Sequence, residues 1–225
     1  MRAAAGPGDR RVSWRWRARL GPVYRRPAAG PGGRTLFVPS ADGHLYALDA
    51  DTGLVSWRFA AGAPVLSEPL VTPEFVVFTA GERLLAVRAA TVSGTQALEA
   101  GTGAPRWTFP GGTMYPPAAV LGDGTVLLTT EQGVVSRVGL ADGGTAWQAG
   151  LGVRVQNAGL AVAGDSAWVV SASGWLVRVR LADGHVRGSL RYALAHCFSA
   201  PAVTGDTLVA GDQDGVVHGI RLPFG

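Results

Sequence analysis

Several residues in this chain are of types that do chemistry. Asp42, His44 and Tyr46 stand close together beside Gly43, and three further histidines (His185, His196 and His218) follow. Asp212-x-Asp214-Gly215 has the opening of a calcium loop, and Cys197 is the only thiol. Spacing argues against each in turn. No two histidines stand at a local metal-ligand interval. The Asp212 segment lacks the later ligands and the closing glutamate of a calcium loop. One cysteine makes neither a disulfide framework nor a paired-cysteine metal knuckle, and Cys197 lies in HCFSAPAV, outside any nucleophile motif. It reads as a packed residue. We therefore expect no catalytic residue, no metal and no cofactor.

The same residues make better sense as parts of a repeating scaffold. Residues 42–57, DGHLYALDADTGLVSW, hold an Asp42-Gly43 turn, an alternating apolar strand, a Thr52-Gly53 turn and Trp57. Weaker copies recur. The segments PVYRRPAA, PVLSEPLV, MYPPAAVL, VQNAGLAV and CFSAPAVT align at Pro27, Pro69, Pro117, Gly159 and Pro201, at intervals of 42, 48, 42 and 42 residues. An apolar strand follows each: TLFVPS, FVVFTA, TVLLTT, SAWVVS and TLVAGD. Glycine turns come next, at Gly43, Gly81, Gly133, Gly174 and Gly215, and then HLYALDA, RLLAVRA, VVSRVGL, WLVRVRL and VVHGIRL. A fourth strand carries tryptophan four residues after glycine: Gly53 and Trp57, Gly103 and Trp107, Gly143 and Trp147. In the fourth unit Gly184 keeps its place, but Gly188 replaces the tryptophan, with Trp168 and Trp175 nearby to compensate.

Four short antiparallel strands at this period predict an all-β propeller. We expect five blades, over about 21–60, 61–110, 111–150, 151–191 and 192–225, after a disordered segment at 1–10. Extra residues within 89–103 should form a projecting loop or hairpin. Residues 12–20, VSWRWRARL, alternate strictly and align Trp14 with Trp57. Residues 12–18 are expected to pair with residues 216–222 and close the last blade of a monomer, removing two sheet edges, the rival being an open arc cut from a longer ring.

The unit Ala47-x-Asp49-x-x-Thr52-Gly53-x-x-x-Trp57 resembles the tryptophan-docking motif of the pyrroloquinoline-quinone-type (PQQ-like) propeller family, and Ala97-x-Glu99-x-x-Thr102-Gly103-x-x-x-Trp107 is a close second copy. WD and kelch repeats fit poorly, because their Gly-His, Trp-Asp and double-glycine signatures are missing. The resemblance implies an eight-bladed quinone- and calcium-binding dehydrogenase on one side, and the non-enzymatic BamB-like scaffolds and accessory domains on the other. Five blades and a single cysteine place this chain with the scaffolds. Related propellers are often periplasmic or cell-envelope proteins, although the start of this chain lacks the apolar stretch of an export signal.

Charge locates the remaining alternative. Residues 1–26 carry eight arginines and one aspartate, whereas residues 27–225 carry twelve arginines and fifteen acids. Nucleic-acid or anionic-surface binding would fall to the arginine-rich start. Arginines on the wet face of a strand, here Arg15, Arg17 and Arg19, more often guard an edge, so nucleic acid is the disfavoured partner. No run is long and apolar enough for a transmembrane segment. The expected interaction surface is the face bearing the turns between second and third strands: Asp42, Glu82, Glu131, Asp212 and Asp214, with Trp175 as an aromatic anchor for a protein partner.

Overall fold

The computed structural model describes residues 15–81, 94–110, 119–155 and 159–223. Their strands fall into five antiparallel sheets in chain order, the blades of a propeller. Blade one comprises β1 (Ala28–Ala29), β2 (Thr35–Pro39), β3 (His44–Asp49) and β4 (Val55–Ala60). Blade two comprises β5 (Leu70–Val71), β6 (Phe75–Ala80), β7 (Gly94–Glu99) and β8 (Pro105–Pro110). Blade three has β9 (Ala119–Val120), β10 (Thr125–Thr129), β11 (Val134–Gly139) and β12 (Thr145–Gly150). Blade four has β13 (Leu160–Ala163), β14 (Ser166–Val170), β15 (Trp175–Arg180) and β16 (Val186–Arg191). Blade five has three strands: β17 (Ala202–Thr204), β18 (Thr207–Gly211) and β19 (Val217–Arg221).

Alternation along the central strands explains why the blades stack. Side chains on successive residues point to opposite faces, so each blade has one face toward its predecessor and one toward its successor. Phe37 and Leu45 of blade one meet Val76, Phe78 and Leu98 of blade two in one core. On the opposite face of blade two, Phe75 and Val77 meet Val126 and Leu128 of blade three. A third core joins Leu127 and Val135 to Val169 and Val177, and continues through Trp168 and Leu176 to Leu208 and Ala210. Burying such a side chain contributes about 1.5–3 kcal/mol, so the core lies between blades rather than within any one.

Two sequence expectations need correction. In blade two the third strand was expected over RLLAVRA, residues 83–89, which lie outside the described residues. The strand that pairs with β6 is β7, with Phe75 opposite Glu99 and Val77 opposite Ala97. The Ala97–Trp107 motif dictates this register, because its Ala97 faces Trp107 just as Ala47 faces Trp57. The insertion therefore precedes β7 instead of following it.

The closing strand is the second correction. Residues 15–20 of the expected 12–20 strand are described, and they form no strand, while the fifth sheet ends at β19. What holds them is blade one. The Trp16 indole donates to Ala50 O at 2.8 Å, and Trp16 and Leu20 cover Val38, Tyr46 and Leu48. Arg15 also pairs with Asp51 at 2.7 Å. This segment is anchored at the front of blade one, not along the edge of blade five.

Candidate functional site

The tryptophans and glycines single out the joints of the scaffold. Trp57 donates its indole N–H to Ala100 O at 3.2 Å, Trp107 to Leu140 O at 2.8 Å and Trp147 to Leu181 O at 2.8 Å. Each bond runs from the outermost strand of one blade to a turn of the next. The receiving turn must contain glycine. A Cβ on Gly103 would lie 2.6 Å from the Trp57 ring, and one on Gly143 or Gly184 would lie 2.8 or 2.5 Å from Trp107 or Trp147. These glycines also hold φ of +71 to +75°, where a side chain is strained. A register shift next to the cross-strand partner of this position, tryptophan in blades one to three and Gly188 in blade four, re-aims the outer strand.

Gly53 receives Trp16 in the same way, its Cβ position lying 2.5 Å from that ring. The plug expected at Trp14, which lies outside the described residues, is thus supplied to blade one by Trp16. Alternation put both tryptophans on one face and could not choose between them. Asp49 and Thr52 meet in the receiving turn of blade one: Asp49 Oδ1 accepts from Thr52 N at 2.8 Å, Thr52 Oγ1 at 2.7 Å and Asp51 N at 3.1 Å. Those donors, Thr52 above all, hold the Asp49 carboxyl below its ordinary value.

The turns between second and third strands gather at one end of the stack, and their carboxylates are mostly engaged. Asp42 Oδ2 accepts from the Tyr46 hydroxyl at 2.7 Å, while Oδ1 accepts from His44 N at 3.0 Å and lies 3.2 Å from His44 Nδ1. Burial opposes its charge, but the hydrogen bonds from Tyr46, Ser40 and His44 prevail and lower its pKa. Asp212 Oδ1 accepts from Asp214 N and Val216 N, both at 3.0 Å, and Oδ2 lies 2.8 Å from His218 Nε2. Its pKa is lowered by that histidine contact first and the turn N–H of Val216 second. Asp42 and Asp212 are braces inside their own blades. Asp42 also lines a shallow hollow of about 310 Å³ with His44 and Pro64.

Other members of the expected face fare differently. Trp175 is half-buried against the core of blades three to five, and its backbone N–H donates to Ser171 Oγ at 3.0 Å. Glu131 holds the outgoing linker of blade three through its backbone, accepting from Val155 N at 3.1 Å. Asp214 and Gly215 are exposed at the tip of blade five's turn, and Glu82 lies outside the described residues. Among the described residues no group of three or more His, Cys, Asp or Glu is placed to hold a metal ion. Arg26 pairs with Glu68 at 3.2 Å and Arg25 Nε donates to Leu66 O at 3.0 Å, which ties this part of the basic segment to the propeller.

One feature of this end escaped the sequence reading. The linker from blade four to blade five, residues 192–201, crosses both turns: Cys197 N donates to Ala172 O at 3.0 Å and Gln213 N to His196 O at 2.9 Å. Cys197 is buried by that crossing, whereas Leu194 is 84% exposed and Phe198 39%. Phe198 stacks on His196 with ring centroids 5.9 Å apart. The signal was present as the run YALAHCF, whose apolar residues have no period-two or helical pattern to bury them all.

Comparison with known proteins agrees with this architecture. The sequence is 27% identical over 196 residues to outer membrane protein assembly factor BamB of Xanthomonas campestris pv. campestris, covering 86% of this chain and 47% of that protein. It is 27% identical over 176 residues to the protein of the same description from Shewanella oneidensis, covering 70% and 41%. The chain thus spans about half the length of these curated relatives. The crystal structure of BamB from Moraxella catarrhalis superposes with a TM-score of 0.75 at 17% identity, over 92% of this chain and 61% of that one. The computationally designed Ika8 protein superposes at 0.69 with 14% identity, over 84% and 56%. With residues 6–108 and 90–225 both matching the family described as outer membrane protein assembly factor BamB, the chain belongs to that PQQ-like propeller family.

Proposed function

We propose that this propeller is a non-catalytic scaffold that binds another protein through the turn end of blades four and five, in the assembly of envelope proteins as the relatives' description implies. The observation that carries this reading is the exposed pair Leu194 and Phe198, on the linker whose His196 O accepts from Gln213 N, the residue before exposed Asp214. A leucine left in water on a hydrogen-bonded linker gains nothing for the fold, but a partner that desolvates it gains about 2 kcal/mol. An aromatic neighbour and a peripheral acid complete the usual make-up of a protein-binding patch. Asp212 and half-buried Trp175 brace the turns of blades five and four.

Site-specific photo-crosslinking tests the proposal. A photoreactive residue at Leu194 should give a discrete crosslinked protein in cells, and the same probe at Val120, an exposed site on the innermost strand β9, should not. Absence of any product from position 194 would overturn it. The quinone-enzyme reading is tested on the purified chain by titration with pyrroloquinoline quinone and calcium. Saturable stoichiometric binding would replace the scaffold by an enzyme or its remnant.

A further inference from the structure

Three joints of the stack are tied across directly, and the fourth is not. Between blades three and four two donors converge on one carbonyl: Trp147 Nε1 reaches Leu181 O at 2.8 Å and Arg137 Nη1 reaches it at 2.7 Å. Trp57 and Trp107 make the corresponding indole bonds to Ala100 O and Leu140 O. In blade five the residue in line with Leu181 is Leu222, because Leu181 N donates to Asp165 O at 2.8 Å and Leu222 N to Asp206 O at 2.7 Å. No indole reaches it, since Gly188 stands at the tryptophan position of blade four. Arg178 otherwise repeats the posture of Arg137. Its Nε donates to Ser166 Oγ at 2.9 Å, as Arg137 Nε donates to Thr125 Oγ1 at 3.0 Å, and each Nη2 donates to an aspartate of its own blade, Asp165 or Asp123. What Arg178 lacks is the third bond, from Nη1 to the next blade.

Among the described residues, no hydrogen bond or ion pair runs directly from residues 159–191 of blade four to residues 202–222 of blade five. The polar ties pass through the linker, residues 192–201. Tyr192 N and Cys197 N hold it to blade four, donating to Gly174 O at 2.9 Å and Ala172 O at 3.0 Å. His196 O and Ser199 Oγ hold it to blade five, accepting from Gln213 N at 2.9 Å and Gly211 N at 3.3 Å. Apart from these the blades meet by burial, Trp168 and Leu176 against Leu208 and Ala210. That burial is imperfect. The Trp168 indole N–H and the Tyr192 hydroxyl are both buried without a partner. Opening returns water to them, so each shifts the balance toward an open joint by roughly tenfold.

We propose that the propeller opens at this seam before it unfolds elsewhere: blade five parts from blade four, with the linker as hinge, while blades one to four stay docked. Separation here breaks no direct hydrogen bond between the two blades, whereas each earlier joint must give up its indole bond. Tyr192 meets blade five through its ring, edge-on to His218 with centroids 5.1 Å apart. A region with few directional ties opens as a unit of its own, at a lower free energy than the whole fold. The residue it uncovers is Cys197, fully buried at the linker position that Val65 and Val155 fill in other joints.

Reaction of Cys197, the only thiol, with a small maleimide tests this on the full chain, followed by mass spectrometry at urea concentrations below the unfolding transition. The labelling rate should rise with urea much less steeply than global unfolding measured by circular dichroism, because little surface is exposed. Two substitutions separate the seam from the rest of the fold. Tyr192→Phe removes an unpaired hydroxyl from the seam and should slow labelling roughly tenfold. Gly103→Ala weakens the joint between blades one and two and should leave the labelling rate unchanged, whereas opening by global unfolding would speed it roughly a hundredfold. Labelling that follows global unfolding, in urea or in Gly103→Ala, would overturn the proposal. A Tyr192→Phe protein that labels as fast as the unmodified chain would overturn it too, and that result can be read even if Gly103→Ala fails to fold.

Discussion

Replacing Gly103 with alanine isolates what the tryptophan joint contributes. Gly103 has φ +72°, and its added Cβ would lie 2.6 Å from the Trp57 ring. Gly152 has φ +69° with nothing within 4 Å of that position, so it supplies the same backbone strain without the ring. An L-residue in the left-handed region costs about 1–2 kcal/mol, and the loss of freedom in the unfolded chain returns about 0.4–1 kcal/mol. Gly152→Ala should therefore cost about 1 kcal/mol. Gly103→Ala must also displace the indole, losing the bond to Ala100 O at about 1 kcal/mol and overpacking the joint by at least about another 1 kcal/mol. Its total should be about 3 kcal/mol. For a chain of this length the gap of about 2 kcal/mol corresponds to roughly 4–8 °C in Tm, measurable by calorimetry or urea unfolding. In a Trp57→Leu background, which removes the indole but keeps an apolar side chain, the cost of Gly103→Ala should fall back to about 1 kcal/mol. Equal costs for the two glycines, or a gap that survives removal of the indole, would refute the docking argument.

Asp49 gives a pH prediction whose sign follows from its partners. Hydrogen bonds from Thr52 hold its folded pKa below the unfolded value. Its stabilisation is therefore complete above the ordinary carboxylate pKa of about 4 and is lost as pH falls toward the lower folded value. Asp49→Asn should flatten the acid side of the stability curve below about pH 4, and an unchanged slope would reject this role. Cys197, fully buried under its own linker, should react with a thiol reagent only as fast as the protein opens. Labelling in native buffer within seconds would contradict that packing.

Much of the scaffold was legible because repetition turns weak local signals into a register. A lone Asp42-Gly43 pair is a turn of no special meaning; five glycine turns, each between two apolar strands, specify sheets that must stack. The docking turn shows where legibility ended. Blade one builds it with Asp49 and Thr52, and blade two with Glu99, whose Oε2 accepts from Thr102 Oγ1 at 2.8 Å. Blade three uses Asp142, which accepts from Gly144 N at 2.9 Å, and blade four uses Asp183 paired with Arg180. The side chains change while the glycine N–H still donates to a backbone carbonyl, that of Asp49, Glu99, Gly139 or Arg180. Glycine and, in blades one to three, tryptophan recur at the joint, so they survive as sequence signals. The third strand of blade two was misplaced because RLLAVRA and GTQALEA both alternate, and only the partner Trp107 distinguishes them. The turn-end carboxylates were legible as residues but not as roles, since whether Asp42 faces water or Tyr46 depends on a strand face that alternation alone leaves open.

The joint between blades four and five is where this scheme is relaxed. Gly188 stands opposite Arg178, where Trp147 stands opposite Arg137 one blade earlier, so no outer-strand indole reaches blade five. The apolar volume is supplied instead from the second strand: Trp168 is buried in the core shared with Leu208 and Ala210, and the Arg178 guanidinium lies 5.2 Å from its ring centroid. Arg178 is held there by Ser166 Oγ at 2.9 Å and by Asp165, which also pairs with Arg187 at 2.9 Å. The substitution is not equivalent. The Trp168 indole N–H is buried without an acceptor, so it adds contact area but no directional tie to the next turn. Blade five is thus joined to its predecessor by burial and by the crossing linker, and the same linker exposes Leu194 and Phe198. The least rigidly tied blade is also the one that presents the apolar turn end. Strict docking in blades one to four supplies the rigid frame, and its relaxation at the fifth leaves surface that a partner can cover.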